Sequence, residues 1–306
     1  MTRYIIRRFL GMLLVIFVIL TVTFILAYLI PADPARAVGG PKANAQTLAL
    51  IRQDLGLDEP IYVQYFRYLG RVLRGDLGTS FVQRRGVTDI ILQRLPATAA
   101  LAFAGVLLEL LMGIPIGIIS AVWQRSFWDR AFMLLALFGV AAPPFWLGLV
   151  LLYLFTYRLP LFPTGGVGGL SHLFLPAFTL GLAGGAWYAR MLRSSMLDIL
   201  QADYVRTARA KGLSEQAVLV RHALRNAIQP IVTMVGMDLG YYLGGVLLTE
   251  VVFSWHGIGK EMWQAVTKMD IPVVVGTVTF AAVAIVVMNF VVDLLYSAID
   301  PRVRLT

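Results

Sequence analysis

Four carboxylates stand inside runs of residues too apolar to hold them cheaply: Glu109, Asp238, Glu250 and Asp293. A charged side chain at the bilayer centre costs about 2.5–3.5 kcal/mol on insertion scales, so none of the four is expected to face lipid. Glu109 and Asp238 fall near the middle of their runs. There they could line a pathway and meet a cationic group such as a peptide ammonium. The other reading is a pairing with neighbouring polar groups, or burial against another subunit. Glu250 joins them as a pathway candidate. Like Asp293, however, it lies near a helix end, where solvation among headgroups is an easier explanation.

Other chemistry is hard to build from this chain. A nucleotide site needs Gly-x-x-x-x-Gly-Lys. The nearest approach, Gly257-Ile-Gly259-Lys260, has Ser254 where the first glycine belongs. His172, His222 and His256 fall in three separate connections, and without cysteine there is neither a disulfide nor a thiolate site. No catalytic residue, metal site or resident cofactor is expected. The segment Gly165-Gly-Val-Gly-Gly169 reads as a flexible loop, since it does not join a strand to a helix.

The elements that position the acids are membrane helices. The 306 residues are 58% hydrophobic and 14% charged, and several apolar runs reach bilayer-spanning length. The net charge of +9 is carried mostly at helix ends and in loops, which points to orientation and anionic lipid, not to nucleic acid. The fold class expected is all-α and integral to the membrane, with six transmembrane helices. A first span, Phe9–Ile30, is too long for a signal-peptide core and is read as retained. The others are near Ala97–Ala121, Ala131–Tyr157, Phe174–Leu192, Ala227–Phe253 and Val273–Ser297. Residues 1–30 thus form the N-terminus and first helix, and 31–96 a helical outer insertion. Within it, short helices are expected over Thr47–Leu55 and from Pro60 to Gly75. The second has Ile61, Tyr65, Tyr68 and Val72 at helical spacing, as one apolar stripe expected to pack on the rest of the protein. The core occupies 97–297, with a polar loop at 193–226 and a tail at 298–306.

Basic residues orient these spans. The side with both termini carries 14 Lys and Arg; the other carries 12, of which 9 lie in the long insertion. Long segments translocate largely regardless of charge, so the fair comparison is 14 against 3. Both termini and the polar loop are therefore expected in the cytoplasm.

That loop is the second candidate site. Good helix formers fill 199–211, and Gly212 stands where a left-handed cap would end the helix. Ser214 can cap a second helix, with Glu215 in its first turn. Two helices meeting at a Gly-Leu-Ser corner make a projecting knob that receives force or signal from a partner. A basic run such as Arg206, Arg209, Lys211, Arg221 and Arg225 is by itself only a positive-inside signal. The glycine corner and flanking alanines, which permit close approach of another backbone, favour the docking reading.

The residues of this knob, Asp203-Tyr-Val-Arg-Thr-Ala-Arg-Ala-Lys-Gly212 and Arg221-His-Ala-Leu-Arg-Asn-Ala-Ile-Gln-Pro230, resemble the "EAA" loop of ABC importer permeases. More narrowly, they resemble the dipeptide/oligopeptide/nickel subfamily. Matching motifs run the length of the chain. Among them are Gly75-Asp-Leu-Gly-Thr-Ser80, Arg94-Leu-Pro-Ala-Thr98, Phe253-Ser-Trp-His-Gly-Ile-Gly259 and Asp300-Pro-Arg-Val-Arg304. The resemblance is greatest to the first permease subunit of glutathione and peptide importers. It implies a type I importer in a bacterial inner membrane, built with a second permease and two ATPases that bind ATP and Mg. An extracytoplasmic solute-binding protein delivers the peptide substrate. Asp203, Tyr204, Arg206, Thr207, Ala208, Arg209, Ala210, Lys211 and Gly212 would form the coupling helix. Arg206 stands in place of the motif's Glu. The rivals are a self-sufficient secondary transporter or channel, coupled through Glu109 or Asp238, and an ABC importer of nickel or another small solute.

Overall fold

The computed structural model describes residues 2–29, 34–40 and 43–299. In chain order the helices are α1 (Thr2–Leu29), α2 (Pro34–Gly39), α3 (Ala45–Leu55), α4 (Ile61–Leu73), α5 (Val87–Val122), α6 (Phe127–Ala141) and α7 (Pro144–Leu152). A π-helical turn, Tyr153–Arg158, extends α7. Then come α8 (Leu170–Leu200), α9 (Asp203–Ala210) and α10 (Glu215–Ala217), followed by a second π segment, Val218–Leu224. The chain finishes with α11 (Arg225–Ala227), α12 (Gln229–Leu243), α13 (Leu247–Val252), α14 (Ile258–Thr267) and α15 (Ile271–Ile299). The motif at Asp300–Arg304 and Pro31, the first proline after α1, lie outside the described residues.

Among the described residues, four helices are long and apolar enough to cross a membrane, or five if the bent pair α6 and α7 counts as one span. One proline pair and one glycine explain the departures from six straight spans. Pro115 and Pro176 sit inside α5 and α8, which continue through them. At Pro143-Pro144 the backbone turns extended, and α6 and α7 meet at 103°. Pro230 lies in the first turn of α12, where its missing N–H has no intrahelical partner to lose. The run read as one span, Ala227–Phe253, is broken after Leu243. There Gly245 adopts φ +105 with no room for a Cβ, which would lie 2.6 Å from the Gly259 nitrogen. In contrast, α5 begins at Val87, ten residues ahead of the expected start and within the segment assigned to the insertion.

The chain divides into two compact units. The first comprises Met1–Ala99, Gly240–Val251 and His256–Thr306. Here α1 and α15 run side by side, joined at one end by the Arg8–Asp293 ion pair (3.1 Å) and the Phe9–Phe290 edge contact. Helix α4 lays the expected stripe on them. Tyr65 shares a hydrogen bond with Thr21 (2.7 Å), Tyr68 one with Thr279 (3.2 Å), and Phe24 packs against both rings. Helix α3 carries caps at both ends, Asn44 accepting from the Thr47 N–H and Gly56 in the left-handed region.

The second unit comprises Ala100–Leu239 and Val252–Trp255. Its helices approach closely because small residues face one another. A Cβ on Gly113 would meet Tyr188 Cβ and the Gly185 carbonyl, and one on Gly117 would lie 2.9 Å from the Ala189 carbonyl. Gly139 is similarly confined against Leu182. Tyr188, Leu192, Met196, Ala223, Ala227 and Ile231 form the buried cluster beneath the polar loop.

Candidate functional site

The polar loop forms the two-helix corner that its sequence predicts, with one change of plan. Helix formers over 199–211 do not make a single helix: α8 ends at Leu200, and Gln201-Ala202 turn the chain before α9 begins. At the other end of α9 the local chemistry acts as expected. Gly212 has φ +79, its N–H bonds to the Arg209 carbonyl, and the Leu213 N–H reaches back to Ala208. Ser214 then caps the next turn, accepting from the Ala217 N–H.

Across this corner Arg209 grips Glu215, with Nε–Oε1 at 2.7 Å and Nη2–Oε2 at 3.4 Å. Tyr204 is 44% exposed, yet its hydroxyl accepts a hydrogen bond from Asn226 Nδ2 (2.9 Å). That bond ties the start of α9 to α11. Asp203 pairs with Arg206 in solvent. Asp203, Tyr204, Arg206, Thr207, Arg209, Ala210, Lys211 and Gly212 are all exposed.

Ala208 is the exception. It is buried with Val205 and Val218, where its small size serves packing inside the knob. Val205 and Ala208, three apart on α9, form the apolar stripe that faces the π segment. By contrast, a Cβ on Gly212 would meet nothing within 4 Å. Its constraint is backbone conformation, not space.

One anchor of this region escaped the sequence reading. Asp129 is buried and accepts two bonds from Arg193, Nε–Oδ1 at 2.7 Å and Nη2–Oδ2 at 2.8 Å. It also accepts from the Arg125 N–H (2.8 Å). Bidentate Arg–carboxylate pairs of this kind fix orientation as well as distance. The available signal was Ser126-Phe-Trp-Asp129, a capping box in which Ser126 Oγ accepts from the Asp129 N–H (3.2 Å).

The buried acids part company. Glu109 is fully buried, and its carboxylate lies where a Cβ on Gly184 would be, 2.1 Å from Oε1. One turn along each helix, Gly113 of α5 faces Tyr188 of α8. The Tyr188 hydroxyl donates to Asp238 Oδ2 (2.7 Å). Thus α8 has Glu109 packed against Gly184 and Asp238 bonded at Tyr188, and Asp238 itself is half-buried. Asp293 lies at a helix end, paired with Arg8.

Glu250 has different partners. It is fully buried, so headgroup solvation does not hold it. Oε1 accepts from the Thr98 hydroxyl (2.9 Å), and Oε2 from the Lys260 N–H (2.9 Å) in the first turn of α14. Thr98 in turn accepts from the Ile258 N–H (2.8 Å). The near-miss phosphate motif Gly257-Ile-Gly259-Lys260 is thus a helix N-terminus already occupied by the chain's own carboxylate. Arg94, one turn before Thr98, pairs with buried Glu261 of α14 (3.0 Å), which also accepts from Gln83. The motifs at 94–98 and 253–259 meet through these bonds. Likewise Ser80, the last residue of the Gly75–Ser80 motif, donates its hydroxyl to buried Asp270.

Apolar spans on both sides of a capped two-helix corner make up this arrangement. The chain belongs to the family described as binding-protein-dependent transport system inner membrane component, which it matches over residues 113–305. The N-terminal domain of the same family covers 1–102. It is a multi-pass inner-membrane permease subunit of an ABC importer.

Among relatives, it is 43% identical to the glutathione transport system permease protein GsiC of Salmonella paratyphi A over 304 residues, 99% of each chain. It is 41% identical to GsiC of Escherichia coli K12 over the same length. The fold resembles that of the MetNI methionine ABC transporter in inward-facing conformations, with a TM-score of 0.56 at 15% identity. That likeness covers 69% of this chain and 96% of the other.

Proposed function

We propose that this permease carries peptides, with glutathione the leading candidate, and that the knob around α9 couples it to a partner ATPase. The full-length similarity to permeases named for glutathione transport carries the substrate reading. The charge asymmetry of the loops supports both termini and the knob lying in the cytoplasm. In this reading the chain and a second, similar permease form the pathway, and two ATPases hold ATP and Mg. A solute-binding protein delivers the peptide to the opposite face, where residues 31–96 stand.

Residues 203–212 seat on an ATPase through their exposed atoms: Tyr204, Thr207 and Lys211 on one side, Asp203, Arg206 and Ala210 on the other, and the Gly212 turn at the tip. Ala208 supports them from beneath. Closure of the ATPases on ATP moves the knob, and the links Tyr204–Asn226 and Asp129–Arg193 pass that displacement to the spans of the second unit. Glu109 and Asp238 supply negative charge beside the pathway for a substrate ammonium. Glu250 acts as a positioning residue that fixes α14.

Purification of the tagged chain in mild detergent tests the assembly. The account expects a second permease and ATPase subunits in the eluate. A lone chain that transports its solute after reconstitution, driven by an ion gradient, would replace this reading with that of a secondary transporter.

A further inference from the structure

Beside the Arg8–Asp293 pair, a gap remains between helices α1 and α15. Gly11 has nothing within 4 Å of where a Cβ would be, and the gap opens into a cleft of about 610 Å³. Its chemistry changes along its length. Arg7, Arg8 and Asp293 line the end near the ion pair, Met12, Val15 and Val286 line the far end, and Asn289 and Phe290 lie between them. Beside it, α1 exposes Leu10, Leu14 and Phe17, each more than half accessible, as a surface for acyl chains. A polar end continuous with an apolar floor matches a phospholipid: a headgroup at the first, the start of an acyl chain along the second.

The charge selects among headgroups. Asp293 is matched by Arg8 at 3.1 Å, and Arg7 adds a second guanidinium, so the described lining residues carry one net positive charge. Guanidinium groups suit phosphate because their planar fork can donate two parallel bonds, and the Asn289 amide can donate another. A zwitterionic headgroup would bring its own ammonium towards this cation; an anionic one does not. We propose that the cleft between α1 and α15 is a binding site for the phosphate headgroup of an anionic phospholipid.

Asp293 then has a purpose its exposure alone does not explain. By pairing with Arg8 it holds one guanidinium at the cleft wall and leaves Arg7 for the lipid.

The test uses the whole importer complex, reconstituted in nanodiscs of equimolar phosphatidylglycerol and phosphatidylcholine. Native mass spectrometry after transfer to detergent then reads the retained lipid. The wild type is expected to retain phosphatidylglycerol in preference to phosphatidylcholine. Arg7→Ala is expected to lower that preference about tenfold, the scale of one charge-assisted hydrogen bond, with Arg7→Lys recovering part of it. Gly11→Leu, which fills the cleft without changing charge, should give the same loss and stands in if Arg7→Ala does not assemble.

Equal retention of the two lipids by wild type would overturn the proposal, as would a preference untouched by both variants. Displacement of the lipid by added inorganic phosphate would make free phosphate the ligand instead. Efficient disulfide cross-linking of Gly11→Cys to the second permease would show that a protein helix fills the cleft, and would equally reject the lipid.

Discussion

Glu250 and Asp238 belong to one apolar run in the sequence and look equivalent there, but the structure gives them opposite situations. The Glu250 carboxylate has both oxygens engaged, by the Thr98 hydroxyl and by the amides that open α14, and no exposure to solvent. Among the described residues Asp238 accepts from Tyr188, and it is only half-buried. A buried carboxylate with its lone pairs used is a fastening. One with unused acceptor capacity and partial exposure is available for a cation that comes and goes. The difference between them comes from partners far away in sequence, not from the type of residue or its depth in a helix.

That contrast can be broken by substitution. The largest effect is expected at the fastening. Glu250→Ala would leave the Thr98 hydroxyl and the Lys260 N–H without their acceptor, at about 1–3 kcal/mol for each orphaned donor. A marked fall in apparent Tm of the detergent-solubilised complex, with loss of assembled protein, is the expected outcome. A stable, fully assembled variant with altered substrate uptake would instead return Glu250 to the pathway.

Asp238→Asn should do the reverse. It keeps an acceptor for Tyr188 while removing the charge. Assembly and Tm should hold, and uptake efficiency should drop about tenfold, equivalent to about 1.4 kcal/mol. Unchanged uptake kinetics would remove Asp238 from the site.

The smallest effect is expected in the knob's own ion pair. Arg209 and Glu215 are both substantially exposed, so the pair is screened and contributes about 0–1 kcal/mol. Arg209→Ala should change uptake by less than about threefold, measured in the same assay; a collapse of coupling would show that the guanidinium itself meets the ATPase.

What was legible in the sequence follows the range of the interactions. The Gly212 turn and the Ser214 cap depend on a few adjacent residues, and both formed as read. The stripe on α4 was visible as a period, and it packs where a stripe should. Hydropathy located the apolar runs but not their continuity, because a break such as the one at Gly244-Gly245 depends on what lies against it. There Gly245 abuts Gly259, a contact with no local signature. Alanine at position 208 suits close approach from either side. Only its register with Val205 and Val218 shows which side is used. Asp129 was overlooked because its partner Arg193 is distant in sequence, although its capping box was in plain view.

The central claim is that the exposed turn ending α9 transmits ATPase closure to the spans. Gly212→Val tests it most directly. A side chain there has open space but must adopt a left-handed backbone, at about 1–2 kcal/mol, so the turn changes shape while the buried core beneath it stays. In proteoliposomes holding the assembled importer, ATP hydrolysis and glutathione uptake should be measured together with the binding protein present. The account predicts that uptake per ATP hydrolysed falls severalfold or that the ATPases dissociate, in either case with the permease still folded. Wild-type uptake per ATP from an intact Gly212→Val complex would contradict it.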